Sequence, residues 1–66
     1  MSISREQALM IERLKENGTS DATIGAMMIL LSTDRKIEAL AKELQKKPTF
    51  NEDELFMLAI RIGHAN

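Results

Sequence analysis

Few side chains in this 66-residue sequence are suited to chemistry, and their surroundings decide what they do. Glu52, Asp53 and Glu54 stand together, and adjacent carboxylates suggest a hard cation or general acid–base work. They directly follow Asn51, however, in what reads as the first turn of a helix, where negative charge complements the helix dipole without any ligand. His64, the single imidazole, comes after Gly63 and has no acid or nucleophile nearby in sequence to orient it. Ser2, Ser4, Ser20 and Ser32 are hydroxyls without a partnering base, so none has an activating group. The three glycines are isolated and form no phosphate loop, and the absence of cysteine removes thiolate zinc sites and disulfides alike. The expectation is a non-enzyme with no catalytic residue, metal or cofactor.

The elements that would position these residues are marked by caps. Ser4 with Gln7 makes a capping box, Ser20 or Thr19 precedes Asp21, Ser32 or Thr33 precedes Asp34, and Asn51 pairs with Glu54. Phe50 and Leu55 occupy the two positions of a hydrophobic staple. Gly18, Pro48 and Gly63 supply stops. Four helices are predicted, at about 5-17, 21-31, 34-47 and 52-62, in an all-α compact bundle forming one domain over 1-66. No stretch alternates in the two-residue period of a strand.

Apolar spacing then assigns faces. Ile37, Leu40, Ala41 and Leu44 make one narrow stripe on the third helix, and Leu55, Leu58, Ala59 and Ile62 make one on the fourth. Met10, Ile11 and Leu14 line the first, with Leu9 pointing elsewhere. The second helix is different. From Ala22 to Leu31 it carries no charge, and its apolar residues fall on two faces: Ile24, Met27, Met28 and Leu31 on one, Ala22, Ala26, Ile29 and Leu30 on the other. Ten such residues are too few to cross a bilayer, which takes about 20. A soluble helix apolar on nearly all sides is expected to be surrounded, so the second helix is predicted at the bundle centre, with Gly25 admitting a close neighbour.

Nine Lys and Arg against ten Asp and Glu give a net charge of −1, with no field favouring nucleic acid or anionic lipid. The opening residues lack a signal-peptide core, which places the chain in the cytoplasm as an expectation. One segment does suggest an alternative. From Leu14 to Leu40 the sequence resembles a helix-turn-helix unit: Leu and Gly precede a capping Ser, Ile24 stands four residues after it, Met28 takes a position often held by Leu, and a Ser/Thr-capped helix follows with Ile37 and Leu40 inward. The resemblance implies that the helix after Ser32 would present Thr33, Arg35 and Lys36 to base edges. The match lacks a glycine in the turn, and Asp34, Glu38 and Glu43 oppose phosphate contacts on the same helix.

Protein–protein contact is the leading expectation, with another protein or a second copy as partner. The fourth helix carries more apolar surface than its inward stripe requires, because Phe56, Met57 and Ile60 fall outside that stripe. These three, together with Leu9, are the candidate interface residues.

Overall fold

The structure, a computed structural model, describes residues 4–65 and so leaves Ser2 outside the described residues. Four helices follow one another: α1 Arg5–Glu16, α2 Asp21–Leu31, α3 Asp34–Gln45 and α4 Glu52–His64. Each begins on an extended residue whose side chain accepts the backbone N–H three positions on: Ser4 from Gln7, Ser20 from Thr23, Thr33 from Lys36 and Asn51 from Glu54. The residues that supply these caps act within one turn, which is why the starts were legible without tertiary information.

The ends depend more on the rest of the molecule. After α1, Gly18 takes φ +85°, the Thr19 N–H bonds the Leu14 carbonyl and the Gly18 N–H bonds that of Lys15, the two bonds of a Schellman stop. After α2, Ser32 does the same task at φ +65° although it carries a Cβ, a conformation that disfavours any residue but glycine. Two residues, Ser32 and Thr33, therefore suffice to turn the chain from α2 into α3. The α3 helix stops at Gln45 rather than Lys47, since the N–H groups of Lys46 and Lys47 bond the carbonyls of Glu43 and Leu44 in a tighter i to i+3 pattern. The α4 helix runs to His64, through the Gly63 expected to end it.

The most extensive packing is α1 on α3 and α2 on α4, and α3 against α4 joins the two pairs. Leu14, Met27, Leu31, Leu40, Leu44 and Leu55 are fully buried where the pairs meet, with Met10, Ile24, Phe50 and Leu58 around them. The Cα radius of gyration of 10.7 Å matches the roughly 11 Å of a well-packed chain of this length. Phe50 and Leu55 are both buried, as the staple requires.

Two cations hold helix ends from a distance. Arg13 of α1 donates to the carbonyls of both Leu44 and Lys47 and lies over the Phe50 ring, 5.2 Å from its centroid, while Asn17 donates to the Phe50 carbonyl at 2.8 Å. Lys36 of α3 donates to the Gly63 carbonyl at 2.7 Å. Lys36 satisfies a last-turn carbonyl of α4, Arg13 adds a second donor to the Leu44 carbonyl and one to that of Lys47 just past α3, and both place positive charge at the negative end of a dipole.

The α2 helix departs from the expected arrangement. All three neighbours touch it, but it is not encircled. Ile24, Met27 and Leu31 are buried and Met28 is half-buried, whereas Ala22, Gly25, Ala26, Ile29 and Leu30 are exposed. Three short helices can cover one side of a fourth. They leave its other apolar side in solvent.

Candidate interaction surface

The exposed side of α2 is built from residues at three-and-four spacing. At about 100° per residue, Gly25, Ile29, Ala22, Ala26 and Leu30 fall in that order within a sector of roughly 140°. Ile29 stands near its middle and is 80% exposed, the most open of the large apolar side chains among the described residues. Asp21, in the first turn, is the only charged residue on the helix. Small side chains occupy the amino half of this face and large ones the carboxyl half.

The face continues onto α4. A Cβ added to Gly63 would come within 2.9 Å of the Leu30 carbonyl oxygen, so the last turns of α2 and α4 meet backbone to backbone there. Ile60 stands one turn earlier on the same side of α4 and is 43% exposed. Close approach was expected at Gly25, but a Cβ there would meet nothing within 4 Å. The two glycines have exchanged roles: Gly63 admits a neighbour, and Gly25 lies open on the apolar face.

The four candidate interface residues do not form one surface. Ile60 lies one turn before the Gly63 contact with α2, and Phe56 is half-buried against the core. Met57, largely exposed, lines an open groove with Glu43 of α3, Lys47 just beyond it and Arg61 of α4. Leu9 lies in a separate groove between α1 and α3, beside Met10, Arg13 and Ala41. The α2 residues Ala22, Ala26, Ile29 and Leu30 were not in the candidate set, although their shared apolar face was visible in the sequence. The signal was the second stripe itself; what was missing was which of the two stripes would be covered.

Several of the polar residues singled out in the sequence have structural partners. Thr33 accepts from the Lys36 N–H as a cap, and the Lys36 ammonium is held on Gly63, so of the three residues implied by the helix-turn-helix resemblance only Arg35 makes no hydrogen bond or ion pair among the described residues. The Glu54 side chain pairs with Lys47 at 2.9 Å, and the Asn51 backbone N–H acts more weakly on the same carboxylate, the reciprocal half of the capping box. The hydrogen bond and the positive charge of Lys47 hold the Glu54 carboxyl below its ordinary pKa. Among the described residues, no three His or acidic side chains are grouped to hold a metal ion, and no buried side-chain N or O lacks a partner. His64 is exposed in the last turn of α4 rather than in a tail beyond the helix. No helix among the described residues is long and apolar enough to cross a membrane. No protein-family model, no curated protein and no solved structure matches this chain.

Proposed function

We propose that this chain is a non-enzymatic helical interaction module, acting in the cytoplasm, whose contact surface is the outer face of α2. The observation that carries the reading is the exposure of Ile29, at 80%, within an uncharged face that includes Ala22, Ala26 and Leu30. Charged residues make up 29% of the chain and stand on the outer sides of α1 and α3, whereas this face carries none. Contiguous exposed apolar surface is characteristic of protein contact sites. Arg13 and Lys36, being tied to helix ends, support a rigid scaffold behind the face.

Site-specific photo-crosslinking in living cells tests the reading. A benzophenone amino acid is placed at Ile29 and, as a control on the outer side of α3, at Lys42. An adduct with any protein at position 29 and none at position 42 is expected. Absence of an adduct at position 29, or equal adducts at both positions, would remove the reading.

A further inference from the structure

We infer that the occupant of this face is a second copy of the chain, packed with its α2 antiparallel about a two-fold axis that passes between Gly25 and Ala26. This deepens the reading above and rests on it. A two-fold contact requires one patch to be complementary to itself. The α2 face meets that requirement in one direction only. Its amino half carries Ala22, Gly25 and Ala26, and its carboxyl half carries Ile29 and Leu30. Run antiparallel, Ile29 of each copy lies over Ala22 of the other, while Gly25 and Ala26 cross at the axis and let the backbones approach. Run parallel and in register, Ile29 would meet Ile29 and the small residues would face each other across a gap.

Charge points the same way. Asp21 is the one charge on α2. A parallel pair would set the two Asp21 side chains and the two positive helix ends side by side. The antiparallel pair separates the two Asp21 positions by nine residues of helical rise, about 14 Å. It brings each to the carboxyl end of the other α2, where Asp34 and Arg35, both exposed, carry opposite charges.

Area sets the strength. Eleven helical residues span about 16 Å, and a face about 10 Å wide gives a footprint of roughly 160 Å². Even with Ile60 added, this is well short of the about 800 Å² per partner of a standard interface. The dimer is therefore weak, and it exchanges rapidly.

The chain contains no cysteine, so single-cysteine variants report cleanly on which positions meet. Sedimentation equilibrium of the purified protein, from about 20 µM to about 1 mM, is expected to show the mean mass rising from monomer toward dimer. Under mild oxidation, a mixture of Ala22→Cys and Ile29→Cys chains is expected to give the mixed disulfide at least tenfold over either variant alone. Homodisulfides of Ala22→Cys and of Ile29→Cys in place of the mixed species would overturn the antiparallel arrangement. A monomeric protein throughout, with no disulfide enrichment, would overturn the second copy. In that last case an adduct at position 29 in cells would still stand for a different partner, which keeps the two failures distinguishable.

Discussion

The α2 and α3 helices are nearly equal in length, begin on the same kind of hydroxyl cap and each bury one side in the same core. Their outer sides differ. Away from the core, α3 shows Arg35, Lys42 and Gln45, side chains that water solvates well, whereas α2 shows Ala22, Gly25, Ala26, Ile29 and Leu30. Folding explains the first arrangement completely, because an amphipathic helix needs one apolar stripe and one polar one. Folding does not explain the second. The outer residues of α2 add nothing to the core seen here, and they have the composition of surface meant to be covered.

The largest expected effect contrasts two residues two positions apart. Met27 is fully buried, and Met27→Asp is expected to unfold the chain, since an unpaired buried charge costs several kcal/mol against a stability of about 3–5 kcal/mol for a core this small. Ile24→Asp acts in the same way, and Met28→Asp, at a half-buried position, less severely. Ile29→Asp is expected to leave the fold intact. Circular dichroism melting distinguishes the cases, and a cooperative melt lost in Ile29→Asp would show the outer face to be part of the core after all.

Arg13→Ala comes next. It leaves the Leu44 and Lys47 carbonyls without their charged donor and removes the guanidinium from the Phe50 ring. A loss of about 1–3 kcal/mol in urea unfolding is expected, with Arg13→Lys recovering only part because a single ammonium does not span both carbonyls. A change below a few tenths of a kcal/mol would mean that the end of α3 is held by its own turn.

The glycines separate the two sides of the molecule by sign. Gly63→Ala forces a Cβ against the Leu30 backbone and is expected to destabilise by roughly 1–2 kcal/mol after the gain in helix propensity is counted. Gly25→Ala meets no atom and is expected to raise the stability of the dilute monomer by up to about 1 kcal/mol. Thermal melts of both variants at low concentration decide it, and the same sign for both would contradict the assignment of open and closed faces.

What the sequence disclosed follows the range of the interactions. Ser4, Ser20, Thr33 and Asn51 act on N–H groups three residues away, so all four helix starts could be read directly. The stripes on α1, α3 and α4 were equally legible, since each of those helices has one main apolar side. On α2 both sides are apolar, and spacing alone gives no reason to bury Met27 rather than Ile29. The bonds from Arg13 and Lys36 span 27 to 34 residues and leave no local trace, which is why Lys36 was available to a nucleic-acid reading until the structure placed it on Gly63. Gly63 itself reads as a stop by position, and only its contact with Leu30 shows why the helix continues through it.

The smallest expected effect is at the surface pair Lys47 and Glu54. The Glu54 carboxyl has its pKa lowered in the folded chain, chiefly by the Lys47 hydrogen bond and charge. A lowered folded pKa means that the pair stabilises above the ordinary carboxylate range and that this contribution is lost as pH falls through the lowered value. Lys47→Met is expected to move the Glu54 titration back upward in an NMR pH series, with little change in melting temperature because the pair is exposed. An unmoved titration would assign the shift to the Asn51 backbone N–H instead.

The central claim is that a second copy occupies the outer face of α2, and a dilution series of amide NMR spectra from about 1 mM to about 10 µM tests it residue by residue. Concentration-dependent shifts are expected at Ala22, Gly25, Ala26, Ile29 and Leu30, with smaller ones at Ile60, while the outer residues of α3 such as Lys42 and Gln45 stay fixed. Spectra unchanged across the series, or shifts gathered instead around Leu9 or Met57, would contradict it.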